Sequence, residues 1–280
     1  MNRFPKISVI IPMYSPGNFG NVANIIRKLC NVHDFYCEPI VVVGVSPAGK
    51  ARNIGAREAT GDILVFVDDD ANIVTDNIIP KLVSPLISDE SIGITGAIQK
   101  SPPQMNWIQR AYRKQFPRTE APDVNVITES DMATTLCCAI RRDDFWRVGG
   151  FDERLQAGQD TLLRHKIRQM GKKVVIVPDT LVYHPLPDTL SKVFKREIRY
   201  AYGMAQLKKF GLAPVPPSEV KNIWHAIWYI LVRILAFPIR FVYGGPDGKS
   251  FGFWFLRAPA SLVTSIAYAY YSVKIEKQRH

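Results

Sequence analysis

Cysteine is scarce in this 280-residue chain, which has four: Cys30, Cys37, Cys137 and Cys138. They form no CxxC pair, and none has a histidine at metal-ligand spacing. A zinc-ribbon architecture and a disulfide framework are therefore excluded. The four are expected to be reduced, buried thiols of a cytosolic compartment. No internal repeat is present. The first apolar run begins within a few residues of Met1, so no signal peptide is expected. Long uninterrupted apolar runs are missing too. Ile223–Tyr243 and Phe251–Val273 approach bilayer-spanning length, but Arg233, Pro238, Arg240, Arg257 and Pro259 break them.

Acidic residues are few in the last third. From Ser191 to His280 there are 14 Lys and Arg against 4 Asp and Glu, which accounts for +10 of the total formal charge of +11. Trp224, Trp228 and Trp254 lie in the same third. Basic, Trp-bearing and apolar sequence suits an anionic membrane surface. A nucleic-acid partner is not expected, because the aromatics sit inside apolar runs rather than spaced along a basic stripe.

The chain is long enough to bury a sizeable core. Ile7–Pro12 is a short apolar run stopped by proline and predicts a strand. Val22, Ile25, Ile26 and Leu29 recur at helical spacing. Pro39–Val43 is a second strand, Ala51–Ala59 a helix, and Ile63–Val67 a third strand. This alternation predicts an α/β fold with a mostly parallel sheet flanked by helices, whose ligands sit at the carboxyl ends of the strands. Further on, Thr75 is expected to cap a helix carrying Ile78, Ile79, Leu82 and Val83. Ile92–Ile98 is a fourth strand. Gln99–Asp131 is a long irregular loop with a helix at Trp107–Phe116. Thr134–Ile140 returns to strand, Asp143–Val148 and Gly158–Met170 are helices, and Lys173–Val177 and Thr180–Tyr183 are two strands. Leu190–Phe210 is a basic helix. Three domain segments follow from this reading: 1–211 as a catalytic domain, 212–218 as a proline-rich linker, and 219–280 as a basic, apolar helical appendage.

The third strand runs directly into Asp68, Asp69 and Asp70. Three carboxylates at the mouth of a buried strand repel one another and need a counter-charge. A hard divalent cation held by oxygen ligands is the usual one.

Ile7–Pro12, Lys50-Ala51-Arg52-Asn53-Ile54-Gly55, Val67-Asp68-Asp69-Asp70, and Gly149-Gly150-Phe151-Asp152-Glu153 followed by Gln159-Asp160 together resemble a family 2 glycosyltransferase of the GT-A fold. The resemblance covers roughly the first 205 residues. It implies Mg²⁺ or Mn²⁺ at Asp70, with His184 as a further metal ligand. It implies ribose or a metal-bound water at Asp68, and Asp160 as the base that takes the proton of an acceptor hydroxyl. Donor contacts are implied for Pro12, Tyr14, Ser46, Lys50, Arg52, Asn53, Asp68 and Asp69. Arg196 and Arg199 resemble a late basic element of the family and share a helix face suited to a pyrophosphate. Acceptor contacts are implied for Gly150, Phe151, Asp152 and Gln159.

Two departures stand out. Gln159 replaces the usual glutamate beside the base. Val43-Gly44-Val45-Ser46 lacks the acid that normally meets the nucleotide base, which leaves base recognition to backbone groups, Ser46 or Tyr14; a UDP-sugar is the favoured donor, with the choice between UDP and GDP left open. No Gly-rich basic loop follows the first strand, which argues against a sugar-nucleotide pyrophosphorylase. The expected reaction is metal-dependent, inverting sugar transfer to a hydroxyl of a glycan, lipid-linked or membrane-proximal, on the cytoplasmic face of a membrane. A polyprenyl-phosphate acceptor, or a non-catalytic membrane-bound scaffold, is the alternative.

Overall fold

A computed structural model describes residues 5–30, 36–116, 118–212, 220, 222–243, 252 and 254–277, with side chains to Ile275. In chain order the elements are β1 (Ile7–Met13), α1 (Phe19–Cys30), β2 (Cys37–Val43), α2 (Ala48–Glu58), β3 (Ile63–Val67), β4 (Asn72–Ile73) and α3 (Ile78–Ser88). Then come β5 (Ile92–Lys100), α4 (Trp107–Gln115), β6 (Thr128–Glu129), β7 (Cys137–Arg141), α5 (Arg142–Arg147), α6 (Gln159–Gln169) and β8 (Lys173–Tyr183). The last are α7 (Leu190–Lys209), α8 (Ile223–Leu235), α9 (Phe237–Val242) and α10 (Arg257–Lys277).

Contacts divide the chain into two units. The first comprises 1–102, 120–154 and 159–185; the second comprises 103–119, 155–158 and 186–280. Residues 213–218 of the expected linker, and the Gly244–Gly248 turn, lie outside the described residues.

The first unit is built on one sheet of order β2-β1-β3-β7-β5-β8-β4, with β6 against β8. β1 pairs in parallel with β2 and β3, and β5 in parallel with β8. β7 runs antiparallel between β3 and β5, so the five long strands β1, β2, β3, β5 and β8 all point one way. The alternation of β3 sorts the core. Ile63, Val65 and Val67 face α1 and α3 through Val22, Ile25, Ile78, Ile79 and Leu82. Leu64 and Phe66 face the other layer, with Ala56 of α2, Phe145 of α5, and Leu163 and Ile167 of α6.

Three expectations fail locally. Lys173–Tyr183 is one strand, not two: Asp179 turns at φ +54, the irregularity is bridged by Ile98 N–H donating to Thr180 Oγ1 at 3.2 Å, and the ladder resumes with Ile98 opposite Leu181. Thr75 does not cap α3. Its Oγ1 accepts from Leu181 N–H at 2.7 Å, and Asn77 at φ +54 begins the helix. Cys137 and Cys138 are buried, but Cys30 and Cys37 are only half-buried, with their sulfurs 2.9 Å apart.

In the second unit, α4 opens with a reciprocal cap between Asn106 and Gln109. Ile108 and Tyr112 of α4 pack with Val193 of α7 and with Leu256 and Ala260. Ala201 and Ala205 of α7 pack with Tyr268 of α10.

Candidate active site

The acidic turn leaves β3 at the carboxyl edge of the sheet. The chain then crosses to place β4 on β8, pairing Asn72 with Tyr183. Asp70 stands two residues before that pair and His184 one residue after it. The topology thus brings together two residues 114 positions apart by subtraction of their numbers. Asp70 Oδ2 and His184 Nε2 are 3.8 Å apart. That is too far for a hydrogen bond. It is less than twice a metal–ligand distance of about 2.0–2.2 Å, so one divalent ion between them is within reach of both. Among the described residues no group of three or more His, Cys, Asp and Glu converges on a metal position.

The three acids are not equivalent. Asp68 Oδ1 takes the Arg52 guanidinium at 2.5 Å. Asp69 is tied to α1 and the turn before it: Asn18 donates to its carboxylate at 2.9 Å, and Asn21 of α1 donates to its backbone carbonyl at 2.8 Å. Burial pushes the Asp69 carboxyl up; the Asn18 bond resists this, and the neighbouring Asp68 charge adds to the rise. The counter-charge expected at this turn is therefore divided among different partners. Arg52 balances the first, side-chain amides fix the second, and Asp70 with His184 forms the pair suited to metal.

Arg52 reaches Asp68 because α2 lies close on β1. A Cβ at Gly55 would stand 2.5 Å from Ile10 Cγ2, so only glycine admits that approach. Arg52 is 6% exposed, lies over the Phe151 ring at 5.4 Å, and has its Nε buried without a partner. A buried arginine with an unsatisfied N–H at a strand-end cleft is suited to an oxygen-rich ligand. Lys50, Ser46 and Tyr14 are exposed along the same edge, Tyr14 at 70%. Pro12 sits within β1, paired with Val42.

Asn53 differs from its expected donor role. It is buried, and its amide is committed to the loop after α5. Its Oδ1 accepts from Phe151 N–H at 3.0 Å, and its Nδ2 donates to Phe151 O at 2.8 Å and Glu153 Oε1 at 2.9 Å. Phe151, expected as an acceptor contact, has its ring in the core. It is 2% exposed and packs against Phe66 and Phe145. Gly150, at φ +62, is buried where a Cβ would meet Asn53 Oδ1 at 2.9 Å. Asp152 pairs with Arg154 at 2.5 Å. Gln159 is buried, with its side chain against Gly49.

Asp160 lies in the first turn of α6, where the helix dipole favours an anion. Burial pulls its carboxyl up, but the Arg164 guanidinium outweighs this, helped by Arg52 and the Thr161 N–H, and holds it below the usual carboxylate range. Arg164 is not among the residues expected from sequence; its four-residue spacing from Asp160 is the signal that marks it.

In the second unit, Arg196 stacks on Tyr112 and Tyr200, at 5.5 and 5.4 Å, and donates to the Tyr200 hydroxyl at 3.1 Å. Arg199 is exposed beside Tyr200.

A mostly parallel sheet with an acidic turn at one strand end and a histidine at another is the layout of a GT-A glycosyltransferase fold. Comparison with known proteins agrees. A mannosyltransferase from Pyrobaculum calidifontis, in complex with GDP-Man and Mn²⁺, shares the fold with a TM-score of 0.56 at 16% identity, over 99% of this chain and 88% of that one. The O-antigen biosynthesis protein RfbC of Myxococcus xanthus is 26% identical over 147 residues, 48% of this chain and 12% of that protein. A putative polypeptide N-acetylgalactosaminyltransferase 10 of Caenorhabditis briggsae is 26% identical over 151 residues, 48% of this chain and 24% of that protein. Each alignment thus spans a quarter or less of the curated relative's length. The chain belongs to the glycosyltransferase-like family 2, whose model matches residues 5–203.

Proposed function

We propose that the chain transfers a sugar, with inversion, from a nucleotide-diphosphate sugar to a hydroxyl of a lipid-linked or membrane-proximal glycan. The observation that carries this reading is the position of Arg52. It bonds Asp68 at the acidic turn, and its charge also bears on Asp160 at the start of α6. This common neighbour supports placing the donor-side acids and the candidate base in one site.

Asp70 and His184 are the residues that would hold Mg²⁺ or Mn²⁺. Held there, the ion would supply positive charge to the diphosphate and to the leaving group as it departs. Arg52, whose Nε is buried without a partner, would offer that N–H to a phosphate oxygen. Asp160 takes the hydroxyl proton as the acceptor oxygen bonds to the anomeric carbon. The bond from that carbon to the phosphate oxygen breaks, and its electron pair leaves with the nucleoside diphosphate. A single displacement of this kind inverts the centre. A UDP-sugar remains the favoured donor, and the protein bound to GDP-Man keeps GDP in view.

A membrane-side acceptor is supported by the second unit. Trp224, Trp228, Leu231 and Leu235 of α8 and Ile239 of α9 recur at spacings of three and four and are exposed. No helix among the described residues is long and apolar enough to cross a membrane. An apolar face lying in the plane of an anionic surface suits both facts. The basic tail at Lys274, Lys277 and Arg279 favours the cytoplasmic side.

Asp160→Asn tests the reading directly. Transfer, measured as nucleoside diphosphate released in the presence of acceptor, is expected to fall about 10²–10⁴-fold with donor affinity unchanged. Full transfer by the variant would overturn the base and point instead to an acceptor phosphate, which arrives already ionised.

A further inference from the structure

Arg164 is 8% exposed, yet no step above uses it. Its Nη1 donates to Asp160 Oδ2 at 3.0 Å and to Ala133 O at 3.3 Å, and its Nη2 donates to Thr161 Oγ1 at 3.3 Å. An exposed pair at this spacing would be a minor helix-surface contact. Here the cation is out of solvent and anchored to the backbone of the segment before β7, while the Asp160 side chain keeps 30% exposure. The neighbouring position is Gln159, so no second acid competes for the guanidinium.

We propose that Arg164 is the positioning residue of this site: it clamps one oxygen of Asp160 and leaves the rest of the carboxylate to meet the acceptor. This rests on the reading of Asp160 as the base. The charged and titratable groups facing Asp160 are Arg164 from α6, Arg52 from α2 and Cys138 from β7. The Arg164 bond, with the Arg52 charge that is shared with Asp68, keeps the carboxylate ionised and aimed before the acceptor arrives. They also make it a modest base, which suits a displacement in which the hydroxyl becomes acidic only as the new carbon–oxygen bond forms. Because the folded-state value lies below the unfolded one, the pair's contribution to stability is full at neutral pH. It is lost as pH falls through the Asp160 titration.

The test is a pH titration of the metal-free chain labelled with ¹³C-carboxyl aspartate, with the Asp160 signal assigned by its loss in Asp160→Asn. In the unsubstituted chain the signal is expected to titrate below the ordinary aspartate range. In Arg164→Gln it moves to higher pH, and in Arg164→Lys it stays low. In transfer assays Arg164→Gln lowers kcat with the donor KM unchanged, and Arg164→Lys recovers part of the rate. An unshifted titration in Arg164→Gln overturns the proposal. So does a signal in the unsubstituted chain that titrates above the ordinary range, a result that stands even if Arg164→Gln does not fold. If Asp160→Asn keeps full transfer while the titrations behave as expected, the base reading fails and the clamp survives as structure alone.

Discussion

Asn53 satisfies three hydrogen bonds with one buried amide, and all three end on the loop at Phe151 and Glu153. Asn53→Ala leaves the Phe151 N–H and C=O without partners. It is expected to lower the free energy of unfolding by about 1–3 kcal/mol, read as a lower urea midpoint. Nucleotide affinity should change little, since the amide faces the protein. A large loss of donor binding with unchanged stability would return Asn53 to the donor site. At this scale the sequence supplies residue types and their order. Asp68, Asp70, Asp160 and His184 stand out because acids and a histidine at strand or helix ends are costly without purpose. What it does not supply is pairing. The partner of Asp68 is Arg52, 16 residues away, and that of Asn53 lies 98 residues away. Neither distance leaves a periodic trace. Phe151 misleads for the same reason: an aromatic after two glycines looks like a loop contact until Phe66 and Phe145 are found around it.

Elements are legible where one physical signal dominates. β3 announces itself by five consecutive apolar residues and α1 by its 3.6-residue spacing. β8 reads as two strands because Pro178 and Asp179 look like a turn, whereas the neighbouring β5 carries the ladder past them. The parallel expectation holds for the long strands, and β7 departs from it between β3 and β5. α8 is a different case: its apolar sequence is expected at a membrane surface, and in the structure Trp224 is 74% and Leu235 77% exposed. Replacing Trp224, Trp228 and Leu235 together by serine removes three large side chains from solvent contact without emptying a core. Flotation of the full chain with vesicles of anionic phospholipid is expected for the unsubstituted protein and lost in the triple variant, with thermal stability kept. Equal flotation of both would contradict an in-plane role for this face.

On the scale of the whole molecule, charge and fold are separately placed. The first 190 residues are nearly neutral, and their sheet brings the candidate catalytic groups together. The last 90 residues carry the basic excess. Composition alone reveals that asymmetry, because net charge is additive along a chain. The convergence of Asp70 with His184 is different. It depends on β4 leaving the acidic turn to pair with β8, a topological fact that no local pattern encodes.

That convergence is also where the proposed chemistry is most exposed to test. Calorimetric titration of UDP and GDP into the full chain, with Mn²⁺ and then with chelator, compares the unsubstituted protein with Asp70→Ala and His184→Ala. At least one nucleotide is expected to bind with Mn²⁺ and to weaken by about tenfold or more, about 1.4 kcal/mol, on chelation or in either variant. Binding that is equally tight without metal and in both variants, or no binding of either nucleotide, would contradict a cation-held diphosphate at the end of β3.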